Sequence, residues 1–108
     1  MPFPNSPNQR LRLMKVEKDQ DKFLVVSHKD VIGIVRSLTR EEWKISIETK
    51  IQINIKVQIN AFLYQGEKFA KLDNAFYKIE RTFLGGQYIE LYLGETRLKD
   101  EDFLWTSI

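Results

Sequence analysis

The 108 residues contain no cysteine, so disulfides and thiolate metal sites are excluded. One histidine is present, His28 in "SHKD", and no other histidine can join it as a metal ligand or relay. It is expected to be a solvated loop residue. No P-loop, GxGxxG or GxSxG occurs, and "LGGQ" (84–87) is too short to cradle a phosphate. No apolar run approaches the roughly 20 residues that span a bilayer. The start "MPFPNSPNQR" lacks a basic segment followed by an apolar one, so no signal peptide and no membrane partner are predicted. The expectation is a soluble chain made in a cytosol. Catalytic residues, cofactors and metals are all predicted to be none. Glu80 and Glu90 lie on two predicted hairpin strands, but Lys71, Lys78 and Arg81 nearby suit ion pairs on a solvated face better than acid–base work.

What is present suits one globular domain, with 43% hydrophobic and 30% charged residues. The net charge of +2 is too mild to imply a nucleic-acid binder. Its distribution is uneven. Residues 1–60 carry 11 basic and 7 acidic side chains, and residues 61–108 carry 6 and 8. Such a split can orient one copy against another.

All three prolines fall within residues 1–9, which read as an irregular arm. A β domain is predicted over 10–95, followed by an acidic–aromatic tail at 96–108. Strand patterns appear at 10–16, 23–27 and 30–37, with a turn at 17–22. Gly33 inside the third marks a bulge or a close backbone approach. Thr39 and Glu42 have capping-box spacing, which predicts one helical turn at 39–43. Residues 60–72 read as strand, turn at 65–67 and strand. Asp73–Asn74 is a tight turn, and 75–83 with 88–95 form a hairpin about Gly85–Gly86. The fold class is all-β: a small antiparallel barrel or sandwich, with a long strand or hairpin extension and at most one short helical turn.

The strongest pattern is "KISIETKIQINIKVQIN" (44–60). Ile or Val fills nearly every odd position, and every even position is polar. As one strand it would run about 55 Å at about 3.3 Å per residue. A compact domain of this size is only about 26–34 Å across. The strand must bend, break near Glu48–Lys50, or project and be covered by another copy. Its polar face offers Lys50, Gln52, Asn54 and Lys56 as assembly residues. The other candidates are Phe103, Leu104 and Trp105 in "DEDFLWTSI", where Trp105 would plug an open barrel end or anchor a neighbour.

Phe62, Tyr64, Phe69, Phe76, Tyr77, Phe83, Tyr88 and Tyr92 are interleaved with Lys68, Lys71, Lys78 and Arg81. That supports an alternative reading as a single-stranded nucleic-acid-binding β-barrel. A third reading is a small adaptor that adds a strand to a host protein's sheet edge.

The order "YQGEKF", "YKIERTF", "LGGQ", "YIELYLGE" within 62–95 resembles the C-terminal part of small head–tail joining (head-closure or adaptor) proteins of tailed bacteriophages. The matched positions are Tyr77, Ile79, Arg81, Gly86, Ile89, Glu90 and Leu91. The resemblance implies a small β-barrel that assembles as a homo-oligomeric ring between portal or adaptor and tail proteins. It implies a structural virion protein that closes the DNA-filled head, lies near packaged double-stranded DNA and passes through the host cytoplasm during assembly. The Ile stretch would then be covered by the next copy in the ring.

Overall fold

The computed structural model describes residues 8–50 and 52–105. Most of the proline-rich arm, Ile51 and the last three residues lie outside that range, while Asn8 and Gln9 belong to the first strand. The strands are β1 (Asn8–Asp19), β2 (Lys22–Arg36), β3 (Ile55–Asn60), β4 (Phe69–Leu72), β5 (Ala75–Gly85), β6 (Tyr88–Glu95) and β7 (Phe103–Trp105). One helix, α1 (Arg40–Thr49), separates β2 from β3, and short 3-10 turns sit at Ala61–Leu63 and Asp100–Asp102.

The protein is all-β in class, and its seven strands form one sheet. The pairings run β1-β4-β5-β6-β3-β2, and β2 returns to β1, so the sheet closes into a ring. It is not a clean barrel. The β1–β2 hairpin is longer than its neighbours, and β7 is added beside the start of β2. The β2–β7 pair is parallel, whereas the sequence pattern implies antiparallel pairs throughout. The two apolar runs at 23–27 and 30–37 are one continuous strand, so His28 lies in β2 rather than in a loop.

Turn chemistry decides where the chain reverses. Asp73 and Asn74 both take left-handed backbone, at φ 54° and 67°, which matches the twist of the β4–β5 hairpin. Gly86 does the same at the β5–β6 tip, at φ 71°. Gly33 marks close packing: a Cβ there would collide with Val57 and crowd Ile59 and Leu11. The interior of the ring is filled by Leu11, Leu13, Val31, Val57, Ile59, Ala70, Leu72, Ile79, Ile89, Leu91 and Leu93. Each lies on the inward face set by strand alternation.

The Ile-rich stretch is not one strand. Its first part is α1, which runs ten residues where one turn was expected. Three causes combine. The Thr39–Glu42 capping box is closed in both directions, at 2.8 and 3.2 Å. Arg40, Glu41, Glu42, Lys44 and Glu48 are helix-compatible residues. A straight 17-residue strand also exceeds a body measuring 39 × 38 × 28 Å. The helix stops where a break was expected, with Lys50 in the left-handed region at φ 59°.

A second cluster gathers Met14, Val25, Phe69, Phe76 and Phe103 beyond the ring. Phe103 stacks on Phe76 at 4.5 Å and meets Phe23 and Phe69 at 5.7 and 5.8 Å. The tail therefore docks on its own body. The plug is Phe103 rather than the expected Trp105, which stays 39% exposed against His28 and Arg12. Phe103→Ala should cost about 3–5 kcal/mol, as removal of a fully packed ring does. Trp105→Ala should stay within about 1 kcal/mol. Denaturant unfolding of the two variants checks the difference.

Candidate interaction surface

Helix α1 lies on the outer side of the sheet with Glu42 and Ser46 inward and Arg40, Glu41, Lys44 and Glu48 exposed. Ser46 is its one buried residue, and Ser46 Oγ accepts the Ile53 N–H at 3.2 Å. One turn earlier, Glu42 turns toward β3 and β6. Its carboxylate accepts Lys56 Nζ at 2.8 and 3.1 Å and the Tyr92 hydroxyl at 2.7 Å. It also accepts the Thr39 N–H of the capping box. Lys56 and Tyr92 are cross-strand partners, so one carboxylate ties the helix to two strands. Glu90 lies 3.7 Å from Lys56.

The electrostatics follow from this geometry. Burial alone would lift the Glu42 carboxyl. Bonds from Lys56, from the Thr39 backbone and from Tyr92 outweigh it and bring the group from 4.5 to about 2. Burial, and then the bond to Glu42, push the Tyr92 phenol up. The bond to Glu42 raises the Lys56 ammonium against its own burial. Both Glu42 oxygens are engaged, so the group acts as a clamp.

With Glu42 and Ser46 turned inward, the apolar residues of α1 face water. Trp43, Ile45 and Ile47 are 57%, 46% and 56% exposed. On one flank, Ile45, Leu38 and Ile53 line a cavity of about 170 Å³ with Phe83, Thr82, Arg81 and Tyr92. On the other flank, Trp43 and Ile47 line a shallower recess with Lys50, Gln52 and Asn54. The β5–β6 tip continues the apolar surface. Every residue from Arg81 to Tyr88 is exposed, including Phe83, Leu84 and Tyr88. Phe62 is exposed as well, and the Ala61 N–H beside it donates to the Gln87 carbonyl at that tip. Exposed apolar groups gathered in this way make this the candidate contact surface among the described residues.

The seven residues expected from sequence fall in two places. Lys50, Gln52 and Asn54 follow the end of α1, in or next to the loop to β3. Gln52 is fixed where its carbonyl approaches Gly94 too closely to admit a side chain. Asn54 donates its N–H to Leu93 O and accepts the Glu95 N–H, at 2.8 and 2.7 Å. This segment is held by specific bonds. Lys56 is neither free nor exposed as expected. Its side chain is 11% exposed and bound to Glu42, so it does not share an open face with Lys50. Phe103 belongs to the second core, whereas Leu104 and Trp105 remain at the surface. Of the eight interleaved aromatics, Phe69 and Phe76 are buried, Tyr64, Tyr77 and Tyr92 are half-buried, and Phe62, Phe83 and Tyr88 are open. Glu80 and Glu90 are not opposed: Glu90 faces Phe83, and Glu80 occupies a bulge between Ile79 and Arg81.

Sequence reasoning missed Trp43, Ile47 and Leu84, and took Phe83 only as one aromatic of the alternative nucleic-acid reading. A signal for the first two existed, because Trp43 and Ile47 are four residues apart just after a capping box. Phe83 reads as the end of a strand and Leu84 as part of the "LGGQ" turn, and only the protruding tip exposes them.

Among the described residues, no helix is long and apolar enough to cross a membrane. Comparison with protein-family models, with curated proteins and with solved structures gives no significant match. The functional reading therefore rests on this chain's own residues.

The clamp makes two predictions. Glu42 has a depressed folded pKa, so its contribution is full above about pH 4.5 and is lost as pH falls toward about 2. The destabilisation caused by Glu42→Gln should be constant near neutrality and shrink through that window, as read from melts of both proteins across pH. Separately, Lys56→Glu should cost about 1.5–3 kcal/mol, since it removes a bond to a charged group. Lys50→Glu should stay within about 0.5 kcal/mol. Equal costs in denaturant titration would remove the distinction drawn between these lysines.

Proposed function

We propose that the protein is a non-catalytic structural component of a tailed-phage particle, a ring-forming head–tail connector subunit. In this reading it sits between portal or adaptor and tail proteins of the virion. The observation that carries it is the inverted helix. Glu42 and Ser46 are turned to the sheet, while Trp43, Ile45 and Ile47 are left in water. In a monomer that orientation secures the Glu42 bonds but leaves the three apolar side chains in water. A ring, in which the next copy covers each helix, removes the apolar surface from solvent at about 25 cal/mol per Å².

The sequence resemblance falls on β5 and β6. Ile79, Ile89 and Leu91 serve the core, and Gly86 the turn between the strands. Arg81 and Gly86 are the matched positions that stay exposed. Neither Lys56 nor an open polar strand face has a part in this reading, because Glu42 takes Lys56. The uncovered helix flank is the assembly element instead.

The test is the double substitution Trp43→Ser and Ile47→Ser. Both side chains are exposed, so the melting temperature of the purified chain should hold nearly constant. Particles carrying the variant should fill with DNA yet fail to join tails, as counted by electron microscopy. Normal tail joining would overturn the assignment. So would salt-dependent binding of single-stranded DNA that is lost on replacing Phe62, Phe83 and Tyr88.

A further inference from the structure

Beyond Ile79, β5 has a partner on one side only. β6 covers one edge, from Tyr77 to Gly85. β4 leaves the other edge at Lys78, after which the Ile79 N–H donates to the Lys68 carbonyl at 2.9 Å. Among the described residues, no strand lies on that edge from Glu80 to Gly85. Sheets protect such edges with proline, lysine, bulges or very short strands. Here the bulge takes only Glu80, the first residue of the open segment, and "RTFLG" after it contains neither proline nor lysine. Phe83 and Leu84 are 61% and 65% exposed on it. Arg81 does not block the edge, because its guanidinium lies over the Tyr92 ring at 5.9 Å.

We infer that a second copy of this chain pairs along this edge, β5 against β5, antiparallel about a two-fold axis at Thr82. Two considerations select the occupant and the register. Directly opposed residues in an antiparallel pair share a face, so a two-fold axis normal to the sheet must pass through one residue's own pair. Thr82 and Phe83 are central in the open segment. With Thr82 at the axis, each Arg81 lies opposite the partner's Phe83, which sets a guanidinium beside a ring twice over. The surface available also matches a copy of the same edge. Phe83 and Leu84 on the edge each leave roughly 100 Å² of side chain in water. Pairing along the edge covers Phe83 and Leu84, about 200 Å² per copy and a quarter of a standard partner's share, so the dimer is weak and reversible. The inference goes beyond the connector reading and does not rest on it. It concerns the purified chain in solution, and it leaves the Trp43–Ile47 flank of α1 free for ring contacts.

Because the chain has no cysteine, single introduced cysteines report contacts cleanly. Opposed Cα atoms across an antiparallel pair lie about 4.5–5.5 Å apart, within disulfide range. Thr82→Cys should give a disulfide-linked dimer under mild oxidation. Leu84→Cys, and Lys18→Cys on exposed β1, should stay monomeric. In sedimentation at rising concentration, the unmodified chain should dimerise reversibly. Phe83→Lys with Leu84→Lys should remain monomeric with an unchanged melting temperature. A native chain that stays monomeric up to millimolar concentration overturns the inference and leaves the edge to a different protein. So does cross-linking at Lys18→Cys as fast as at Thr82→Cys. Cross-linking at Phe83→Cys but not Thr82→Cys overturns the stated register.

Discussion

One carboxylate determines where the helix sits. Glu42 accepts the first free N–H of its own helix, the ammonium of Lys56 and the hydroxyl of Tyr92. Charge-assisted bonds of this kind are roughly twice as strong as neutral ones. The helix has little else to hold it, because Ser46 is its one buried residue. The rotation of α1 about its own axis is therefore set by polar geometry. That rotation in turn sets the cavity between Ile45 and Phe83 and points Trp43 and Ile47 outward.

A helix docked through Trp43 and Ile47 would bury more apolar surface in an isolated domain. Partly buried ion pairs contribute modestly to net stability, because desolvation offsets much of their attraction. Their geometric demands, however, leave little freedom of register. In this fold the polar clamp specifies an orientation that hydrophobic burial would oppose. Stability comes instead from the two apolar clusters, one inside the ring and one around Phe103. The surface and the core are thus governed by different forces and can vary separately.

Much of the fold was legible because strand alternation and turn residues are local signals. The β5–β6 hairpin, the Asp73–Asn74 turn and the close approach at Gly33 could all be read from short windows. The helix was legible only at its capping box, for a physical reason. Helices announce themselves by an apolar stripe against the core, and α1 turns Glu42 and Ser46 to the sheet instead. Its Ile45 and Ile47 continue an alternation that is a true strand signal only from Ile55 onward. The site was less legible than the fold. Whether Lys56 is free depends on a helix packed across β3, and whether Phe83 is exposed depends on how far a hairpin protrudes. The docking of Phe103 depends on a parallel pair with β2, far away in the chain. No local pattern encodes such distances.

The ring closure has a consequence in time. Val57 finds its partner in Leu91, and Leu11 finds Leu72, so the sheet is joined by contacts between remote parts of the chain. Closing long loops before any contact rewards them makes such topologies slow, in the millisecond-to-second range rather than microseconds. During that interval "IKVQIN" stands without β6 beside it, and it is a segment with strong strand preference. Lys56 and Gln58 interrupt its apolar residues and act as gatekeepers against premature pairing. The lysine that the finished protein commits to Glu42 thus has an earlier task, keeping an unfinished chain in solution.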